Sequence, residues 1–128
     1  MQQLRPSLRE VHKKIEEAKE ALCNYQGIFA NPAKAVGELY ELGIGETSEL
    51  WKLIKEILEE IAPQDYKGGS PPHKSYEKTI ENHELFAYRW QSSLLNKEMY
   101  IKFALKNNRY YYVSLHESYS SERQETQP

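Results

Sequence analysis

Two neighbouring segments near the end of the chain alternate polar and apolar side chains, as β-strands with one buried face do. In residues 99–105 every second side chain is apolar, and the remaining positions include a tyrosine and a lysine. In residues 110–116, Tyr111, Val113 and Leu115 form the second apolar set. Burying both sets together requires an odd-numbered loop, because a two-residue Asn107-Asn108 turn would put them on opposite faces.

The loop Asn107-Asn108-Arg109 meets this requirement and predicts which residues face each other across the hairpin. It sets Lys106 opposite Tyr110, Lys102 opposite Ser114, and Tyr100 opposite His116. The predicted polar surface of the hairpin then consists of five side chains, namely Tyr100, Lys102, Tyr112, Ser114 and His116.

A histidine, a lysine and tyrosines on one surface suit cleavage of RNA phosphodiesters without a metal. A base must take the proton of the 2′-hydroxyl, and an acid must protonate the leaving 5′-oxygen. Histidine titrates in the useful range, and one positioned acid or base contributes roughly 10²–10⁴-fold in rate. A fixed cation stabilises the charge that develops on the phosphate.

Each of these residues also has an ordinary structural interpretation. A strand-end histidine such as His116 is commonly a surface residue, and a mid-strand lysine such as Lys102 commonly faces solvent. The tyrosines at 110–112 are strand formers first and candidates for base stacking second. Pattern alone therefore predicts only a soluble α+β domain.

Other kinds of chemistry have little support in the sequence. Cys23 is the only cysteine, which excludes an intrachain disulfide and fits a reducing compartment. The four histidines, His12, His73, His83 and His116, show no zinc-ligand spacing. Gly68-Gly69-Ser70 is too short to predict a phosphate-binding glycine loop. We therefore expect neither a metal nor a cofactor.

Length and charge limit the possible partners. The 128 residues correspond to one domain, and the longest apolar runs of four residues are far too short to span a bilayer, so we expect a cytoplasmic protein. The formal net charge is −2. Residues 1–62 carry 8 basic against 11 acidic residues, whereas residues 63–118 carry 8 against 6. A local anion site in the second part is compatible with the acidic mean.

The order of elements predicts an α+β fold in residues 1–118. Three helices are expected in residues 1–62: one capped by a Ser7–Glu10 capping box, one starting at Asn31-Pro32 and ending at Gly43, and one from about Thr47 toward Pro63. A loop covers residues 63–82, and a small antiparallel meander of three or more strands covers residues 83–118, packed against the helices. Residues 119–128 are expected to form a disordered tail.

Three sets of short motifs, in this order, resemble a known family. They are Glu41-Leu42-Gly43-Ile44, Asp65-Tyr66-Lys67-Gly68, and Met99-Tyr100-Ile101-Lys102 followed by Val113-Ser114-Leu115-His116. Together they resemble the MqsR-type (motility quorum-sensing regulator) toxins of bacterial toxin–antitoxin pairs. The resemblance covers about residues 33–118. It departs from the family pattern at Leu115, which stands for phenylalanine, and at Ala87, which stands for a glutamine of some members.

The resemblance implies a RelE/barnase-like ribonuclease fold and metal-independent cleavage of mRNA, inhibited by a cognate antitoxin protein. It assigns Lys67 as a phosphate-binding or catalytic lysine, Tyr100 as an active-site tyrosine, and His116 as the terminal active-site residue. Face and charge add Lys102 as a catalytic candidate and Arg89 as an RNA-binding one, beside Tyr112 and Ser114. The alternative is a non-catalytic interaction module, either an antitoxin-like or immunity-type partner or an inactive relative of the toxins.

Overall fold

The computed structural model describes residues 5–118, which fold into three helices and a four-stranded sheet. The helices are α1 (Leu8–Cys23), α2 (Pro32–Leu42) and α3 (Thr47–Glu60). The strands are β1 (Gly27–Phe29), β2 (Phe86–Ser92), β3 (Lys97–Lys106) and β4 (Arg109–Glu117), in the spatial order β1-β4-β3-β2. The predicted α+β class, with helices before the antiparallel meander, is confirmed. The predicted tail, residues 119–128, lies outside the described part of the chain.

The helix boundaries follow from local capping chemistry. The Ser7 hydroxyl accepts a hydrogen bond from the Glu10 amide at 3.1 Å, and the Asn31 side chain accepts one from the Lys34 amide at 3.3 Å. Gly43 ends α2 in the left-handed conformation, with φ 72°. One detail differs from the prediction, because the Glu10 carboxylate pairs with Arg5 instead of completing a capping box.

The helices cover one face of the sheet and form the main core there. Buried side chains of α1 and α3 pack against alternate residues of β2, β3 and β4, among them Tyr88, Ile101 and Phe103. The opposite face is covered over only part of its area. There, Ile80 and Leu85 of the segment before β2 pack on Ala104 and Tyr111. The rest of this second face, toward the ends of β3 and β4, holds the residues predicted to carry the chemistry.

The hairpin between β3 and β4 differs from the predicted one in its turn. Lys106 pairs with Arg109, so the turn contains only Asn107 and Asn108, with φ values of 53° and 61°. Asparagine tolerates this left-handed conformation, which two-residue hairpin turns require. The predicted three-residue loop and the predicted pairing of Lys106 with Tyr110 are therefore wrong.

A β-bulge in β4 restores the predicted register beyond the turn. Phe103 pairs with Tyr112 and Lys102 pairs with Ser114, so Val113 is an extra residue. The extra residue exchanges the two faces of β4 part-way along the strand. Between the turn and the bulge, Tyr110 and Tyr112 lie opposite Leu105 and Phe103 and enter the main core. The predicted pairs Lys102–Ser114 and Tyr100–His116 are confirmed.

Strand β1 has no counterpart in the prediction. Its three residues run parallel to β4, with Gly27 opposite Tyr110 and Phe29 opposite Tyr112. The sheet is therefore mixed, whereas the sequence predicted an antiparallel one. Three residues are too few to show a period of two, so the pattern could not indicate this strand.

Substitution of Gly27 should destabilise the protein because Trp51 packs directly on its backbone. A Cβ at position 27 would lie 2.7 Å from Cδ2 of Trp51. We expect Gly27→Ala to lower the free energy of unfolding by about 1–3 kcal/mol, as overpacking commonly does. Urea denaturation measures the change. The matched control is Gly37→Ala, where nothing lies within 4 Å and a helical alanine should stabilise by up to about 1 kcal/mol. Equal effects of the two variants would contradict this account.

Within residues 5–118, no helix combines the length and the apolar character needed to cross a membrane.

Candidate active site

The uncovered part of the second sheet face carries two rows of side chains that the strand register sets side by side. One row is Arg89, Tyr100 and His116, and the row beside it is Ala87, Lys102 and Ser114. The Tyr100 and His116 rings stack, with centroids 5.2 Å apart and an interplanar angle of 29°. The Nζ atom of Lys102 lies 5.9 Å from the centroid of the Tyr100 ring. The structure thus brings the predicted Tyr100, Lys102 and His116 together on one face.

Lys67 reaches the same face through the Asp65-Tyr66-Lys67-Gly68 segment. The Asp65 carboxylate accepts a hydrogen bond from the Ala62 amide at 2.8 Å and so fixes the turn that precedes the segment. The Tyr66 ring contacts the ring of Tyr88 edge-on at 5.7 Å. The Lys67 amide donates to the Ala87 carbonyl at 2.8 Å, which ties the segment to the outer edge of β2. The Lys67 side chain is exposed.

A cleft of about 240 Å³ lies between this segment and the sheet. The residues that line it include Lys67, Gly69, His73, Ala87, Tyr100 and Lys102. No carboxylate is found among the described residues that line it. Ala87 lies between two of these residues, since its carbonyl accepts from the Lys67 amide and it pairs with Lys102 across the strands. We call this hollow the lysine cleft.

Arg89 and Tyr100 are neighbours in register on β2 and β3. Arg89 is half-buried, and its buried Nε has no hydrogen-bond partner among the described residues. Burial raises the pKa of Tyr100, and the Arg89 guanidinium partly opposes that shift. The Tyr100 hydroxyl therefore stays protonated at neutral pH, so it can donate a hydrogen bond but does not serve as a base.

The imidazole of His116 contacts the backbone of the residue that follows it. Its Nδ1 lies 2.8 Å from the backbone carbonyl oxygen of Glu117. A carbonyl oxygen can only accept, so this contact is a hydrogen bond when Nδ1 carries a proton. His116 also lines a larger hollow of about 620 Å³, which lies between α2 and the ends of β3 and β4. It therefore stands between that hollow and the Tyr100 side of the lysine cleft.

Two of the predicted binding residues serve the packing of α2 instead. Tyr112 is only 1% exposed and lies in the main core, so its predicted position on the polar surface is wrong. The physical reason is the two-residue turn, which sets Tyr112 opposite the buried Phe103 before the bulge at Val113 restores the predicted register. Its hydroxyl donates to Glu38 at 2.5 Å, and the Ser114 hydroxyl donates to the other Glu38 oxygen at 2.7 Å. Ser114 keeps its predicted register opposite Lys102.

Sequence reasoning missed two residues of this region. Glu38 joins α2 to β4, and His73 lines the lysine cleft. The capping signals of α2 place Glu38 on a helix but do not indicate which strand it faces. His73 lies in the segment between α3 and β2, where no periodicity predicts a position.

Comparison with protein-family models, with curated protein sequences and with solved structures finds no significant match to this chain. The interpretation of the site therefore depends on its geometry and on the motifs of the sequence. Among residues 5–118, no cluster of three or more histidine, cysteine, aspartate or glutamate side chains is arranged to hold a metal ion.

Proposed function

We propose that this protein is the toxin of a bacterial type II toxin–antitoxin pair and that it cleaves mRNA as a metal-independent endoribonuclease. The observation that carries the proposal is the lysine cleft, which Lys67, Lys102 and Tyr100 line, with His116 stacked on the Tyr100 ring. Two lysines without a neighbouring carboxylate favour an anionic ligand. The histidine and the tyrosine supply groups that can exchange or direct protons.

The proposed reaction is attack of the 2′-hydroxyl on the adjacent phosphate. His116 takes the 2′-hydroxyl proton on Nε2, the bond between O2′ and phosphorus forms, and the bond between phosphorus and O5′ breaks. The products are a 2′,3′-cyclic phosphate and a 5′-hydroxyl end. Lys67 and Lys102 balance the charge of the pentacoordinate phosphate, and Tyr100 donates a hydrogen bond that orients it.

The charge distribution supports an RNA substrate despite the acidic mean. Helices α1 and α3 carry most of the acidic residues of the first 62 positions, and both pack on the opposite face of the sheet. Most of those carboxylates therefore lie across the sheet from the lysine cleft, and Glu10, whose charge reaches Tyr66 beside the cleft, is the exception. Arg89, half-buried and in register with Tyr100, adds a third cation for the RNA backbone.

The resemblance to MqsR-type toxins suggests how such a nuclease is controlled. Under this proposal a cognate antitoxin protein binds the toxin in the cytoplasm and covers the site. Induced expression of the toxin alone should then arrest bacterial growth, and His116→Ala should relieve the arrest.

Incubation of purified protein with naked RNA in EDTA tests the proposal. We expect the wild type to leave 2′,3′-cyclic phosphate ends and His116→Ala to be slower by about 10²–10⁴-fold, the contribution of one positioned base. The control is His12→Ala, because His12 is exposed on α1 in the helical layer. It should cleave like the wild type.

Two results would count against the proposal. If His116→Ala cleaves as fast as His12→Ala, His116 is not the base. If the wild type cleaves neither naked RNA nor mRNA on translating ribosomes, the protein is not a nuclease, and the non-catalytic interaction module becomes the better interpretation.

A further inference from the structure

His73 lines the lysine cleft and has no role in the reaction proposed above. Its imidazole can donate or accept a proton. It comes from the segment between α3 and β2, whereas Tyr100 and Lys102 come from the sheet. The cleft thus has a histidine on its loop wall and Tyr100 on its sheet wall, and His116 stacks on Tyr100 from the neighbouring hollow. We propose that His73 is the general acid of the cleavage and protonates the leaving 5′-oxygen, an inference that rests on the proposed nuclease function.

The backbone of His73 is held against the sheet. Its carbonyl oxygen accepts a hydrogen bond from the Leu85 amide at 2.8 Å, directly before β2. On the next residue, Lys74 forms a β-bridge with Glu84. The exposed imidazole therefore projects from a fixed point of the segment.

The ring of His73 packs against the backbone of Gly69. A Cβ on Gly69 would lie 2.5 Å from Cδ2 and 2.6 Å from Nε2 of His73, so the imidazole lies directly over the Gly69 backbone. The Gly69 carbonyl in turn accepts a hydrogen bond from the Tyr66 hydroxyl at 2.5 Å. Burial, more than any other influence, raises the pKa of Tyr66 to about 12, so this donor stays protonated over the whole neutral range. Gly69 and Tyr66 together determine the position of the His73 imidazole.

The chemistry requires a second proton-transfer group, and the cleft offers His73 for that role. Attack and departure at phosphorus take place on opposite sides, so the base and the acid must approach the phosphate from opposite walls. Under the proposed function His116 is the base. His73, as an imidazolium, gives its proton to O5′ while the bond between phosphorus and O5′ breaks. One proton enters the enzyme at His116 and one leaves it at His73, so the step balances without a co-reactant.

The decisive experiment changes the leaving group. A short RNA that the wild type cleaves is synthesised with sulphur in place of the 5′-oxygen at the mapped cleavage position. A thiolate leaves without protonation, so the general acid is not needed for this substrate. We expect His73→Ala to slow cleavage of ordinary RNA about 10²-fold or more and cleavage of the sulphur-containing RNA by less than about threefold. His116→Ala should slow both substrates strongly, because both require removal of the 2′-hydroxyl proton.

The matched control is His83→Ala, since His83 lies in the same segment but does not line the lysine cleft. Equal cleavage of ordinary RNA by His73→Ala and His83→Ala would overturn the inference and leave the proposed nuclease intact. Equal losses on both substrates by His73→Ala would also overturn it, because they indicate that His73 only shapes the cleft. Absence of any cleavage by the wild type would instead be a failure of the proposed function.

Discussion

Glu38→Ala should lower the free energy of unfolding by about 3 kcal/mol. Glu38 accepts hydrogen bonds from the hydroxyls of Tyr112 and Ser114 and from the Leu115 amide, the last at 2.8 Å. The Tyr112 hydroxyl belongs to a residue that is 1% exposed, and Leu115 is fully buried. Removing the carboxylate leaves these donors unsatisfied, and each such group costs about 1–3 kcal/mol. The melting temperature should fall by about 10 °C.

The matched control for this prediction is Glu41→Ala. Glu41 lies on the same helix and is exposed, so its removal should change the free energy of unfolding by less than about 0.5 kcal/mol. Thermal denaturation followed by circular dichroism compares the two variants with the wild type. Similar melting temperatures for the two variants would show that the hydrogen bonds of Glu38 do not stabilise the fold.

Under the proposed function, Lys102→Ala should reduce kcat/KM for RNA cleavage by about 10²-fold. Lys102 lies in the middle of β3, half-buried at the wall of the lysine cleft, and its Nζ stands beside the Tyr100 ring. A fixed cation at this point stabilises the transition-state phosphate more than a solvated one, because its orientation costs no reorganisation during the reaction. Cleavage of a fluorescently labelled RNA under single-turnover conditions measures the change. Lys102→Arg keeps the charge and should retain more activity than the alanine variant.

Lys97→Ala is the control on the same strand. Lys97 is exposed at the start of β3, away from the lysine cleft, and its Nζ lies 3.9 Å from a Glu117 oxygen. It should cleave RNA within about twofold of the wild type, and both lysine variants should melt near the wild-type temperature. A Lys97→Ala variant as impaired as Lys102→Ala would indicate diffuse electrostatic attraction instead of a cation bound at the cleft.

Much of the fold could be predicted because its signals are local. Ser7, Asn31 and Gly43 mark helix ends through hydrogen bonds to nearby backbone or through backbone conformation, which a short stretch of sequence contains. The β1 strand and the Val113 bulge could not be predicted in this way. Both depend on the shape that the rest of the chain presents to β4, and neither has a periodic signal of its own.

The candidate site was predictable where one strand pair forms it. The alternation in β3 and β4 predicts that Tyr100, Lys102 and His116 share a face, and the register confirms their arrangement. The same alternation wrongly placed Tyr112 on that face. The prediction required every second side chain of β4 to face the same side along the whole strand, and the bulge breaks that pattern. His73 could not be found because an irregular segment carries it to the sheet, and only backbone contacts such as the one to Leu85 determine where that segment runs.

The bulge at Val113 links the packing of the main core to the position of His116. Between the turn and the bulge, the Tyr110 and Tyr112 side chains of β4 point into the main core. Beyond the bulge, His116 lies on the opposite face of the sheet, beside Tyr100. The one extra residue determines which side chains of each half face the core. A chain that pairs β3 with β4 in a register shifted by one residue would therefore lose both the packing of the main core and the placement of His116 beside Tyr100. Under the proposed function, a misfolded copy of this protein would not cleave mRNA, because the strand alignment that completes the fold is also the one that assembles the candidate site.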